Sequence, residues 1–177
     1  LLVPSDKVAE ATRIAVEVAE SIPLATSWDA PAPAIGPIAT KRQHAEIVRL
    51  ISEGVKEGAK LVVDGRGYKV PGHEQGFFTG GSLFDHVTPQ MRIYKEEIFG
   101  PVVTLQPFND EAEALALANT SDYGLSATIW TQDVSRANRM AARVHSGIIW
   151  VNCWLLRDLR TPFGGFGNSG VGREGGW

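Results

Sequence analysis

The chain has 177 residues, of which 44% are hydrophobic and 21% charged, and a formal net charge of -3. That is the balance of an ordinary globular chain long enough for one sizeable core. Weak acidity without a basic stripe argues against nucleic acid as a partner, and no apolar run approaches the roughly 18 residues that a membrane span needs.

The single cysteine, Cys153, excludes an internal disulfide, so a reducing, cytoplasmic compartment is expected. The opening Leu1-Leu2-Val3-Pro4 has no Met and no basic region. It reads as a strand entered in mid-course, hence as a fragment, and not as a signal peptide.

Ser5 is placed to cap a first helix running to about Ile22, with Val8, Ala11, Ala15, Val18 and Ile22 as its apolar stripe. Four prolines between Pro23 and Pro37 predict an extended surface loop. Thr40, with Gln43 three residues later, gives the capping-box pattern of a second helix. Ile47, Leu50, Ile51 and Val55 form its expected buried face, and Gly58 suits a left-handed stop.

Leu61-Val62-Val63 predicts a short buried strand, and residues 64–81 a hairpin or long loop. Beyond Pro101 the pattern alternates: a strand over 102–108, a helix over 110–119, a strand over 127–130, a helix from the cap Asp133 to about Val144, and a strand over 147–151. This alternation predicts an α/β fold, a mostly parallel twisted sheet with flanking helices in one domain over residues 1–177, and the strand-like opening implies that this domain is incomplete. The glycine-rich tail reads as loop. Ligands in such sheets gather beyond the carboxyl ends of strands, where Asn152 and the Arg157 loop fall.

The run Lys95-Glu96-Glu97-Ile98-Phe99-Gly100-Pro101 is the most informative motif. A Glu there can accept hydrogen bonds from a ribose diol, and a Phe can stack on a flat heterocycle. The plainer reading is a helix end with a surface Glu pair and a core Phe. Residues 165–170 and 170–175 each fit GxGxxG, but neither opens a helix nor has an acid about twenty residues on, so both read as close-packed turns. His44, His73, His86 and His145 show no ligand spacing, and no metal is expected.

The motif at 95–101 is joined in order by Glu57-Gly58-Ala59-Lys60-Leu61 before it. After it come Ser121-Asp122-Tyr123-Gly124-Leu125, Trp150-Val151-Asn152-Cys153-Trp154, Thr161-Pro162-Phe163-Gly164-Gly165-Phe166-Gly167-Asn168-Ser169-Gly170 and Gly172-Arg173-Glu174. Together they resemble the C-terminal part of the catalytic domain of the NAD(P)-dependent aldehyde dehydrogenase superfamily.

The resemblance implies oxidation of a small aldehyde to its acid with NAD or NADP, through a cysteine thioester, in a homo-oligomer. It places Glu97 on the nicotinamide ribose and Phe99 beside the nicotinamide. Gln43 falls where a further ribose contact is often found, although its capping role explains it equally well. The family's nucleophilic cysteine, general-base Glu, oxyanion Asn and Rossmann fingerprint lie upstream of these residues. No catalytic residue is therefore expected in this chain, Cys153 is expected to be structural, and the chain by itself is expected to be inactive. The alternative is a non-catalytic truncated α/β module that acts only through association with a partner.

The loop 154–160 resembles that of 2-hydroxymuconate and 2-aminomuconate semialdehyde dehydrogenases, in which an Arg grips the substrate's carboxylate. That role falls first on Arg157 and second on Arg160, against a plain reading in which Asp158 balances both. Asn152 and Phe163 flank the loop and are expected to shape the substrate tunnel. Residues 64–94 look more like methylmalonate-semialdehyde dehydrogenase, whose acyl acceptor is coenzyme A. The resemblance therefore leaves the aldehyde open.

Overall fold

The computed structural model describes residues 1–26 and 33–176. By contacts the chain groups into two compact units, Leu1–Phe108 and Asn109–Trp177. The first contains β1 (Leu2–Pro4), a 3-10 turn (Ser5–Lys7), α1 (Val8–Ser21), α2 (Lys41–Lys56), β2 (Lys60–Val63), β3 (Ser82–Asp85), α3 (Arg92–Lys95), β4 (Val102–Thr104) and β5 (Gln106–Phe108). The sheet order is β2-β3-β4, antiparallel then parallel, and β1 pairs β5 in parallel.

Phe84, on the central strand β3, is fully buried with Ile47 and Ile51 of α2; Ala59, Val87, Met91 and Ile93 complete this core. A second cluster joins Val3, Leu83 and Leu105, covered by Val8, Ala11, Ala15 and Val16 of α1.

Several local expectations change. Ser5 does not cap α1; its hydroxyl donates to the Phe108 carbonyl at 3.0 Å, so it ties β1 to β5. Val18 and Val55 are half exposed, since each lies at the edge of its helix's stripe and not at its centre. In α2 the stripe instead closes on Gly54, where a Cβ would stand 2.7 Å from Ile93 Cδ1. The expected strand over 102–108 breaks at Leu105 into β4 and β5, which serve different sheets. Residues 27–32 of the expected proline-rich loop lie outside the described residues, while its flanks meet at a Leu24–Ile35 bridge.

Thr40 does cap α2, its hydroxyl accepting from the Gln43 amide at 3.2 Å. Thr40→Ala should therefore cost about 1 kcal/mol of stability, the usual value of an N-cap. A denaturation midpoint that does not move would show the cap to be redundant.

The second unit contains α4 (Glu111–Ala118), β6 (Tyr123–Gly124), β7 (Ser126–Ile129), α5 (Val134–Ala141), β8 (Ile148–Val151) and β9 (Phe166–Gly167). Asp110 and Asp133 cap α4 and α5. β7 and β8 run parallel from Ser126↔Ile148 to Ile129↔Val151, with α5 as their crossover, as the alternation predicts. The tail is not wholly loop, because β9 pairs antiparallel with β6. Three of the five ladders among the described residues are parallel, and helices flank them in each unit. No helix among the described residues is long and apolar enough to cross a membrane.

Candidate functional site

In the first unit the chain leaves α3 through an extended Glu96 and reaches Gly100 as a loop. The two glutamates have different fates. Glu96 is held by Arg92, whose Nε and Nη2 donate to its oxygens at 2.7 and 2.9 Å. Glu97 is exposed and has no ion-pair or hydrogen-bond partner among the described residues. Ile98 turns inward onto the Phe84 cluster, which throws its neighbours outward.

Phe99 is therefore no core residue: it is 72% exposed and has a left-handed backbone, with φ of 54°. That conformation is uncommon for a bulky side chain and persists where the surroundings fix it. One fixing group is Gln43, whose side-chain amide donates to the Phe99 carbonyl at 3.1 Å. Gln43 thus fills half of the capping box, through its backbone N–H alone, while its side chain holds the motif loop. Gly100 is the other fixing element, since a Cβ there would sit 2.8 Å from Ile47. An unpaired carboxylate and an open aromatic face, two residues apart on a braced loop, can receive a diol and a flat ring.

In the second unit, β8 delivers the chain to Asn152, also left-handed with φ of 54°, a conformation Asn adopts readily. Its side-chain amide closes both hydrogen bonds with Thr131: Oδ1 accepts from the Thr131 N–H at 2.9 Å, and Nδ2 donates to the Thr131 carbonyl at 2.8 Å. Asn152 therefore locks the ends of β7 and β8 together, and it borders an open groove of 770 Å³ lined also by Trp130 and Val134. Leu155 is left-handed as well, with φ of 57°. The Trp150 indole donates to the Leu156 carbonyl at 2.9 Å, pinning the loop immediately before Arg157.

The two arginines separate cleanly. Arg160 is bound by Asp158 through Nε and Nη2, and this contact holds the Asp158 carboxyl below its ordinary pKa. Asp158 does not balance Arg157. The Arg157 guanidinium lies 4.4 Å above the Phe163 ring, and its Nη2 donates to Glu174 at 2.6 Å. Phe163 and Glu174 are themselves paired, each accepting the other's N–H at 2.7 Å. Glu174 and Arg157 each belong to a stretch visible in the sequence, but their pairing is not visible there. Only closure of the tail brings position 174 back to 157.

The first glycine repeat is close-packed, as expected: a Cβ on Gly165 would lie 2.5 Å from the Ser169 Cβ, and one on Gly167 2.3 Å from the Asp122 carbonyl oxygen. The second is so only at Gly175, whose Cβ would lie 2.7 Å from the Leu159 carbonyl oxygen, since nothing stands within 4 Å of one on Gly170 or Gly172. Arg173 braces the turn by donating to the Gly165 and Gly172 carbonyls, both at 2.9 Å. Cys153 is a free, half-buried thiol. No group of three or more His, Cys, Asp or Glu among the described residues could hold a metal.

The sequence profile of the aldehyde dehydrogenase family matches residues 1–177. A 2-hydroxymuconic semialdehyde dehydrogenase of Pseudomonas sp. is 41% identical over 159 residues, covering 89% of this chain and 32% of that protein. A malonate-semialdehyde dehydrogenase of Pseudomonas aeruginosa is 49% identical over 136 residues, covering 76% of this chain and 27% of that protein. Among solved structures, a mutant aldehyde dehydrogenase C of Pseudomonas syringae, complexed with NAD+ and octanal, is 39% identical with a TM-score of 0.90; the match covers 99% of this chain and 36% of that one. The chain thus spans about a third of these proteins' lengths, and along its whole length it belongs to the aldehyde dehydrogenase family.

Proposed function

We propose that this chain supplies the nicotinamide-ribose and substrate-carboxylate contacts of an enzyme that oxidises a small semialdehyde with NAD or NADP. The observation that carries the reading is the loop 96–100. Arg92 ties up Glu96, and what is left is an unpaired Glu97 beside an open, left-handed Phe99. This arrangement suits the dinucleotide: Glu97 would accept from the ribose hydroxyls, and Phe99 would lie against the nicotinamide. When bound, the cofactor supplies the hydride acceptor. Gln43 acts here through the Phe99 carbonyl, which favours bracing over a ribose contact of its own.

Arg157, stacked on Phe163 and held by a single hydrogen bond to Glu174, is the ligand for a substrate carboxylate, and Arg160 is second because Asp158 engages it through both Nε and Nη2. Asn152 and Phe163 shape the approach by holding the loop between them. The nucleophile and general base lie outside these residues, and Cys153 is structural. Both units belong to one catalytic domain in this reading. A homo-oligomeric, cytoplasmic enzyme is part of the same reading and rests on the family resemblance.

The test is NADH formation from small semialdehydes by an enzyme of its relatives' full length that carries these residues. Absence of turnover with every aldehyde tried would overturn the reading. Glu97→Gln keeps an acceptor but removes its charge. It should weaken cofactor affinity or slow hydride transfer by about 0.5–1.5 kcal/mol, roughly two- to tenfold. Unchanged cofactor titrations and rates would remove Glu97 from the site.

A further inference from the structure

We propose that Glu174 sets the charge preference of the Arg157 site, as a built-in carboxylate that occupies the guanidinium until a substrate carboxylate takes its place. The proposal rests on the reading of Arg157 as the ligand of a substrate carboxylate. Among the described residues the Arg157 side chain makes one hydrogen bond, from Nη2 to Glu174 Oε1 at 2.6 Å. A guanidinium has five N–H donors, so most of its edge is open to an incoming anion.

The two partners differ in freedom. The Arg157 side chain is 35% exposed and stacked at 4.4 Å on Phe163, whereas the Glu174 side chain is 73% exposed. The Glu174 backbone is pinned by both hydrogen bonds to Phe163, so only its side chain can swing away, into water. The fixed group is therefore the cation and the exchangeable one is the carboxylate.

Two carboxylates crowded on one guanidinium repel each other. An acidic substrate must displace Glu174 or share Arg157 with it, and its net gain is the difference between two similar contacts. A neutral aldehyde meets an arginine that is already balanced and strands no bare charge. Glu174 thereby blunts the preference for acids and keeps neutral aldehydes acceptable, a form of discrimination set by competition.

The test compares kcat/KM for a carboxylate-bearing semialdehyde and a neutral aldehyde of equal length at low salt, in the full-length enzyme and its variants. Glu174→Gln keeps the size of the side chain and the backbone pair. It should raise the acid-to-neutral ratio about two- to fivefold, the scale of an exposed ion pair, through a lower KM for the acidic substrate that fades at high salt. The gain should vanish in Arg157→Ala/Glu174→Gln. A ratio that stays flat or falls in Glu174→Gln, while Arg157→Ala still collapses it, overturns the proposal and leaves the Arg157 reading intact. A ratio insensitive to Arg157→Ala overturns both. If Glu174→Gln turns over neither substrate, succinate binding to the NAD+-loaded enzyme by calorimetry decides: tighter binding than to the parent supports the proposal, and equal or weaker binding overturns it.

Discussion

Phe84→Ala should remove about 3–5 kcal/mol of stability, the usual cost of deleting a fully buried aromatic ring whose surroundings relax only in part. Phe84 has no exposed surface and is surrounded by Ile47, Ile51, Ala59, Val87, Met91 and Ile93. It sits on the middle strand of β2-β3-β4, so neither neighbouring strand can slide in to fill the space without breaking its ladder.

The same deletion reaches the candidate site through Ile98, which packs on this cluster. With that anchor loosened, the left-handed turn that turns Phe99 outward loses one of its supports. Urea denaturation of parent and variant measures the effect. Against a domain's typical margin of about 5–15 kcal/mol, a loss on this scale is large enough to read directly. A cost below about 1 kcal/mol would mean that the cluster collapses freely or is not the centre of the core.

The elements easiest to read in the sequence are those whose information is local. Thr40, Asp110 and Asp133 cap the helices that follow them, because a cap depends on residues three apart. Gly58, with φ of 98°, ends α2 for the same kind of reason. The parallel β7–α5–β8 crossover follows from alternation alone. What the sequence hides is long-range choice. Ser5 looks like a cap, but Phe108, more than a hundred residues on, claims its hydroxyl. β3 carries the core and still gives only a weak local signal, because Ser82 and Asp85 flank two apolar residues and no period can be counted over so short a span.

The site divides along the same line. Glu97 and Phe99 can be named from seven residues, but the reason that Glu97 and not Glu96 is available lies in Arg92, one helical turn before Glu96. The left-handed backbone of Phe99 cannot be read from a residue type that usually avoids it. For the arginines the local guess, Asp158, holds for Arg160, where the acid is two residues away. It fails for Arg157, whose partner is seventeen residues on and arrives only when the tail folds back through the Phe163–Glu174 pair.

That pairing sets the expected result of Arg157→Ala. In a full-length enzyme carrying these residues, the variant should lose about 1.5–3 kcal/mol in kcat/KM for a carboxylate-bearing semialdehyde, the worth of a hydrogen bond to a charged group. This corresponds to roughly 10- to 150-fold. Two effects act in the same direction. The substrate carboxylate loses its donor, and Glu174 is left as an uncompensated negative charge near the path of another anion.

A neutral aldehyde of equal size has neither problem. Glu174 is well exposed, so water solvates it once Arg157 is gone, and the neutral substrate should change by no more than about twofold. Arg160→Ala is the control. Its guanidinium is already committed to Asp158, and its removal should affect both substrates alike. If Arg157→Ala harmed the two substrates equally, Arg157 would be a brace for Phe163 and the tail, because a lost stack carries no memory of substrate charge. If Arg160→Ala gave the selective loss instead, the substrate contact would pass to Arg160, and the Asp158 pair, not the Glu174 pair, would be the one that an acidic substrate has to open.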